Sequence, residues 1–386
     1  MKSRSGVFAC LFGAAMLSCG LPAQALSGFS IAITEASSTL NGYGNAINTT
    51  GQVAGSTWSA VQPETAALWS SGIAQNIGPA GSSRSAAYAI NAAGGAAGIA
   101  EVGGWLHGVY WNGASMSDLG TLGGRSSGAY GINDSGNIVG FSDKVGGGYH
   151  AVLWSGGTAT DLGTLGGDSS HAFAINNQGQ IVGEAVDAAG RPRPATWIGI
   201  AAVDLGTLGG VGGAARSIND IGQIVGISMT LSGAQHATLW SNGLIVDLGT
   251  LGGVSSGAYG INRLGQVAGW YVDASNSSKA ALWSDGVAVD LNGYLDAEQI
   301  NAGWVLERAT SINDSGAITG AAFNKISGKT SAFLLTASPV PEPRTLALLL
   351  VGGTMLLIME LRRKRKLSAA SEGIRSSARH PRTRGE

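Results

Sequence analysis

This sequence has almost no cysteine and little charge. Its two cysteines, Cys10 and Cys19, both fall in the first 25 residues. If that stretch is removed, no disulfide framework, thiol nucleophile or zinc-thiolate site remains. Only 12% of the residues are charged, and cations are scarce where they would matter. Residues 26 to 340 hold 11 Lys and Arg against 20 Asp and Glu, a balance near −9. Phosphate neutralisation needs clustered cations, so an acidic body without a basic face excludes nucleic acid as a partner. There is no Ser-His-Asp set, nucleotide loop or metal cluster. Nor does any run in the body have the 3.6 period of an amphipathic helix.

What is present begins with an export signal. Lys2 and Arg4 form a basic n-region, Val7 to Leu21 an apolar stretch, and Ala23-Gln24-Ala25 a small-x-small cleavage site. Cleavage after Ala25 by signal peptidase takes both cysteines away. A lipoprotein alternative would acylate Cys19, which Leu17-Ser18 precede and Gly20 follows.

The body is a seven-fold repeat. An Ile-Asn pair recurs at Asn48, Asn91, Asn133, Asn176, Asn219, Asn262 and Asn313, with steps of 43, 42, 43, 43, 43 and 51 residues. Trp69, Trp111, Trp154, Trp197, Trp240 and Trp283 keep the same beat, and Phe333 takes the seventh place. Within a repeat, four runs of four or five β-branched, aromatic or small residues are separated by Gly, Ser and Asn, as strands are. A period near 43 residues built from four short strands predicts a seven-bladed β-propeller over residues 26–339. A β-solenoid is the alternative. The 63 glycines are spread at fixed phases, marking regular turns and not a disordered linker.

Each repeated residue has a structural role to fill. Asn-x-x-Gly suits a type I hairpin turn with a glycine bulge. The Asn-Asp-x-Gly versions at Asp134, Asp220 and Asp314 lack the further carboxylates of a calcium loop, so no metal is expected there. The Trp layer packs between neighbouring blades. Asp118, Asp161, Asp204 and Asp247 open the Asp-Leu-Gly-Thr-Leu-Gly-Gly segments and cap the turn that follows; Asp290 begins a degraded fifth. His107, His150 and His236 share a phase that Thr65, Arg193 and Lys279 fill elsewhere, so the position is expected simply to tolerate polar groups.

The ends of the repeat are complementary. The seventh unit has three strands and runs on into the tail, whereas Phe29 to Thr34 has the phase of a fourth strand. That strand is expected to complete the last blade and remove an open edge.

Together these segments resemble the HAF repeats of bacterial extracellular proteins. His150-Ala151-Val152-Leu153-Trp154 and His236-Ala237-Thr238-Leu239-Trp240 carry the likeness over residues 28 to 335. The resemblance implies export and a repeat-built β fold, and brings no catalytic residues.

After the body, Pro341-Glu342-Pro343 is followed by an apolar run, 345–361, long enough to cross a bilayer as a helix. The basic cluster Arg362, Arg363, Lys364, Arg365 and Lys366 would stay cytoplasmic. A polar, disordered tail fills 367–386. Residues 340–366 resemble the PEP-CTERM sorting signal, although that family usually ends soon after its basic cluster. The resemblance implies recognition by an exosortase, transient membrane anchorage, and display on the surface or in the exopolysaccharide matrix of a Gram-negative-type bacterium.

Loops between the second and third strands vary most, and binding specificity sits on such loops. The longest departure is Leu291 to Glu307, where Asp296, Glu298, Trp304 and Glu307 form the candidate ligand loop. The expected function is a non-catalytic binding or structural protein without cofactor, whose partner is an extracellular polysaccharide or surface protein. The alternative is a secreted carbohydrate-active hydrolase or lyase using those carboxylates.

Overall fold

The turn Asn133-Asp134-Ser135-Gly136 sets the geometry of its repeat. Gly136 N donates to Asn133 O at 3.0 Å, Asn133 N donates to Asn137 O at 3.0 Å, and Gly136 has a φ of 77°. This is the hairpin turn with a left-handed glycine that the spacing predicts. The computed structural model describes residues 29–34, 40–81, 83–113 and 115–337, and the same turn occurs in it seven times.

Each turn joins the first two strands of a four-stranded antiparallel set. In the third repeat the strands are Gly123–Ile132, Ile138–Lys144, Tyr149–Ser155 and Thr158–Asp161, paired in chain order. The sets form five four-stranded sheets and one eight-stranded sheet. In the larger sheet, two sets are joined by the single parallel pair Tyr149↔Ser169. The fold is all-β. Helix among the described residues is confined to the short segments Leu291–Tyr294 and Ala297–Asn301.

The first strand of a repeat is longer than its apolar run suggests. Gly123, Gly166 and Gly209, from the Gly-Gly pair that ends the Asp-Leu-Gly-Thr-Leu-Gly-Gly segment, begin it in the third, fourth and fifth repeats. The preceding strand stops at its Asp, and Leu-Gly-Thr-Leu crosses to the next set. Leu122, Leu165 and Leu208 bridge in parallel to Lys144, Asp187 and Thr230 on the way.

Every first strand also carries a bulge. Ala129 lies opposite Gly140 and Gly131 opposite Val139, so Tyr130 has no partner across the ladder. The same shift leaves out Asn45, Tyr88, Phe173, Arg216, Tyr259 and Thr310 in the other six repeats. A bulge bends the strand and brings its backbone close to the neighbour. A methyl group at Gly140 would run into the carbonyl oxygen of Gly128, which explains the glycine in the middle of the second strand.

Among the described residues the core is divided into seven clusters, each shared by two consecutive repeats. Ala54 and Ala66 of the first repeat, for example, pack with Ala87 and Trp111 of the second. Trp111 and Phe333 are fully buried, as their place between repeats requires. The last cluster of the series joins Ala317 and Ala332 of the seventh repeat to Val53 and Trp69 of the first. Ser side chains stitch the same joints. Ser85, Ser127, Ser170 and Ser256 each accept from a backbone N–H of the preceding repeat, at Ala66, Gly108, Ala151 and Ala237, at 2.8–3.0 Å.

Phe29–Thr34 takes the outer place in the last sheet. It lies antiparallel to Thr330–Ala337, with Phe29 opposite Ala337 and Thr34 opposite Ala332. The insertion in the sixth repeat reinforces this joint. Leu291 and Leu295 are buried against Leu306, Phe333 and Leu335, and Gln299 Nε2 donates to Ile31 O at 3.1 Å. Its two short helices were not anticipated from the strand pattern. Both start where an Asp side chain captures an N–H, Asp290 that of Asn292 and Asp296 that of Gln299.

The expected signal peptide (1–25), the sorting residues Pro341, Glu342 and Pro343, the 345–361 span, the cluster from Arg362 to Lys366 and the tail lie outside the described residues. Among the described residues, no helix is long and apolar enough to cross a membrane.

Candidate functional site: a channel along the first strands

The first strands border one continuous space. A cavity is lined by three consecutive residues from each of the seven repeats, such as Tyr130-Gly131-Ile132 and Phe173-Ala174-Ile175. Further cavities continue it toward each end of the strands.

One end is a ring of asparagines, every one of them buried. Asn48 Nδ2 donates to Asn91 O at 3.1 Å, Asn91 to Asn133 O at 3.4 Å and Asn133 to Asn176 O at 3.1 Å. Asn176 continues to Asn219 O at 3.0 Å, Asn219 to Asn262 O at 3.0 Å and Asn262 to Asn313 O at 3.1 Å. Asn313 Nδ2 returns to Asn48 O at 2.9 Å, and the cycle is closed. Each Oδ1 meanwhile holds its own turn, as Asn176 does by accepting from the N–H groups of Gln178 and Gln180. The amides are therefore spent on the fold. A second tier lies one residue further on: Asp134, Asp220 and Asp314 accept from the N–H of Ala92, Asn177 and Arg263 in the preceding repeat, all at 2.9 Å.

The other end is different in kind. Its cavity, of about 410 Å³, is lined by the seven bulge residues Asn45, Tyr88, Tyr130, Phe173, Arg216, Tyr259 and Thr310, together with Arg308. That volume suits a small ligand or one end of a larger one. The bulge turns each of these side chains out of the ladder and into the channel. Tyr88, Tyr130 and Phe173 form a contiguous aromatic wall, with ring centroids 5.4 Å and 5.8 Å apart at successive pairs. His171, Phe141 and Tyr149 extend it outward. Arg216 lies over the Phe173 ring at 4.2 Å, and its Nε is buried without a hydrogen-bond partner among the described residues.

The tyrosines of this wall stay neutral. Burial pushes the Tyr88 hydroxyl well above its ordinary value, and the nearby Glu64 carboxylate adds to the effect. Burial also raises Tyr130, against the opposing charge of Arg216. Beside them, Glu64 accepts from Tyr43 Oη at 2.6 Å, Ser56 Oγ at 2.9 Å and Arg84 Nε at 2.9 Å. Burial alone would raise the Glu64 carboxyl, but these donors hold it below its usual range. Their hydrogen bonds require the charged form.

The repeated histidines have partners that the sequence reading missed. His107 Nδ1 lies 2.9 Å from Asp118, His150 2.7 Å from Asp161 and His236 2.7 Å from Asp247. Arg193 takes the same place 2.9 Å from Asp204, and Lys279 lies 4.0 Å from Asp290. The position does not simply tolerate polar groups. It places a basic side chain beside an acid eleven residues later, across the third and fourth strands. The signal was legible: where Thr65 stands, the later position is the neutral Asn76. As expected, each Asp also accepts from the N–H two residues on, as Asp161 does from Gly163 at 2.8 Å.

The four residues proposed for a ligand loop are dispersed. Asp296 caps Ala297–Asn301 in a reciprocal box with Gln299. Glu298 is exposed in the first turn of that helix. Trp304 packs against the core between the sixth and seventh repeats. Glu307 sits at a second bulge, between Leu306 and Arg308, and its carbonyl accepts from Ser278 Oγ at 2.9 Å. The insertion braces the closing sheet, while the bulge residues gather in one cavity. The sequence signal for these was a Tyr, Phe or Arg three residues before five of the seven ring Asn, set between small residues, as in Ala-Tyr-Gly-Ile-Asn and Ala-Arg-Ser-Ile-Asn; Asn45 and Thr310 hold the place in the other two.

No protein-family model matches the chain, and no curated protein does. Among solved structures it is similar to TolB from Acinetobacter baumannii, with 13% identity, a TM-score of 0.45 and 61% of each chain covered. It is also similar to a mutant of AofleA from Arthrobotrys oligospora, with 12% identity, a TM-score of 0.40 and coverage of 68% of this chain and 88% of that one. A third likeness is to Trypanosoma rangeli sialidase in complex with sialic acid, at 11% identity and a TM-score of 0.37, covering 83% of this chain and 60% of that one. The chain thus spans about three fifths of the TolB and sialidase structures it matches. None of the three is similar enough to carry a function across.

Proposed function

We propose that this chain is an exported, non-catalytic binding protein. Its seven repeats act as the blades of a closed β-propeller, and its ligand enters the channel from the bulge end. Closure rests on the asparagine cycle and on the hydrophobic joint between seventh and first repeats. An open solenoid has no use for either. The observation that carries the binding reading is the convergence of seven variable side chains, one per repeat, on a single cavity.

The wall of that cavity favours binding over hydrolysis. It is built of aromatic rings, two arginines, an amide and a hydroxyl, and its lining includes no pair of carboxylates. Glycoside hydrolysis by the usual route requires two. Partly exposed Tyr and Phe faces suit the apolar face of a sugar ring, with tyrosine hydroxyls free to bond its periphery. The partner proposed is therefore an extracellular polysaccharide. The propeller is displayed by the sorting route that the Pro341-Glu342-Pro343 tail implies, through signal peptidase and an exosortase, on the cell surface or in the matrix.

Two experiments test this. Residues 26–339 should bind a saccharide on a glycan array, and Tyr130→Ala with Phe173→Ala should abolish that binding without unfolding the protein. Unchanged binding by the double variant would remove the site from the channel. In cells, replacing Pro341, Glu342 and Pro343 should block maturation; normal processing would dismiss the sorting route.

A further inference from the structure

Building on that proposed site, we infer that the polysaccharide is acidic, and that Arg216 is the side chain selecting for its carboxylates. The body of the protein carries an excess of acids over bases, so a pair of arginines at one cavity is a local exception. Neither Arg216 nor Arg308 has an ion-pair partner among the described residues, a state they share with Arg125 and Arg263, whereas Arg84, Arg191 and Arg193 are paired. The nearby carboxylate of Glu184 is directed to His171 Nδ1, 3.6 Å away.

Arg216 is held ready. Its guanidinium carbon lies 4.2 Å over the Phe173 ring, a cation–π contact that holds the group at the channel wall. Its buried Nε lacks a partner among the described residues, and a buried donor left unpaired is costly. A carboxylate arriving in the channel would pair with the terminal Nη1 and Nη2 donors, which are not enclosed as Nε is, in the two-pronged geometry that guanidinium favours. Arg216 also lines a second, more apolar cavity between the fourth and fifth repeats, with Pro192, Val211, Ile227 and Met229 and with the charged residues Glu184 and Arg191. One side chain thus borders both the channel mouth and a groove leading outward. A polymer can lie along that path, with one sugar on the aromatic wall and its acidic group on Arg216. A compact ion would use only one of the two spaces.

The test is calorimetric titration of residues 26–339 with oligoglucuronate, a neutral glucose oligomer of equal length, a sulfated oligosaccharide and poly-glutamate. Oligoglucuronate should bind at least tenfold more tightly than the neutral oligomer. Arg216→Ala should lose that margin, and Arg216→Lys should recover only part of it, since an ammonium neither stacks nor forks. Arg308→Ala should weaken acidic binding severalfold, and it serves as the deciding variant if Arg216→Ala does not fold. Equal binding of neutral and acidic oligomers would overturn the inference while leaving the saccharide site intact. So would preference for the sulfated chain, which would name a different anion, or for poly-glutamate, which would name a peptide partner. Binding of none of the sugars would defeat the site itself.

Discussion

The two ends of the channel lie three residues apart on the same strands, and they are built on opposite rules. At one end every repeat supplies the same Asn, with its amide and carbonyl committed to neighbours. At the other, the seven repeats supply five residue types: Tyr in three of them, and Phe, Arg, Thr and Asn in one each. Uniformity is what a closed ring of hydrogen bonds requires, because one altered member leaves a buried carbonyl unpaired. Variety is what recognition requires, because a ligand without seven-fold symmetry needs a wall without it. The bulge lets both coexist. It adds a residue that the ladder does not use, so its side chain is free to change while the frame stays constant.

The comparison can be broken most severely by opening the ring. Deleting Phe29–Thr34 strips the outer strand from the last sheet and exposes the edge of Thr330–Ala337. The deleted protein should unfold or oligomerise in size-exclusion chromatography; a stable monomer would mean that closure does not depend on that strand. Next in size is Asn176→Ala. It removes the acceptor of two backbone N–H groups and the donor to Asn219 O. Chemical denaturation should show a loss of about 1–3 kcal/mol, the cost of buried polar groups left unpaired. If stability is unchanged, the uniform end is not the structural one.

Beside the variable end, acidity should act through Glu64. Its folded-state carboxyl lies below the ordinary 4.5. Its contribution is therefore fully present above that value and is lost as pH falls through the folded value. Replacing Glu64 with Gln should cost about 1 kcal/mol at pH 7 and make stability less sensitive to acid below about pH 4.5. Parallel pH–stability curves for the two proteins would rule this out. A similarly small effect on the fold belongs to the wall itself. Phe173→Ala should cost only about 1 kcal/mol through lost ring contacts, while saccharide binding collapses. A large loss of stability with binding intact would reverse the assignment of the two ends.

Much of the frame was legible in the sequence. The Asn-x-x-Gly turns, the Asp that captures the following Gly N–H and the four-strand unit follow from chemistry within a few residues. The fourth-strand phase of Phe29–Thr34 was visible because a regular repeat makes an absent member conspicuous. The channel was not legible. Asn48 and Asn91 look like two identical turns, and nothing near either says that one side chain reaches the other's carbonyl. Nor does Ala-Tyr-Gly-Ile-Asn announce that its Tyr is unpaired, because a bulge exists only as a shift against the partner strand.

By itself, then, the sequence determined the repeat, its strands and turns, and how its two ends complement each other. These depend on local backbone preferences and on a period that each unit carries within itself. Only the tertiary structure decided what the repeats do together. It joined seven amides into one cycle, paired His150 with Asp161, and brought seven side chains some 43 residues apart around a single space. The placement of that space is a property of the ring, which no single repeat contains.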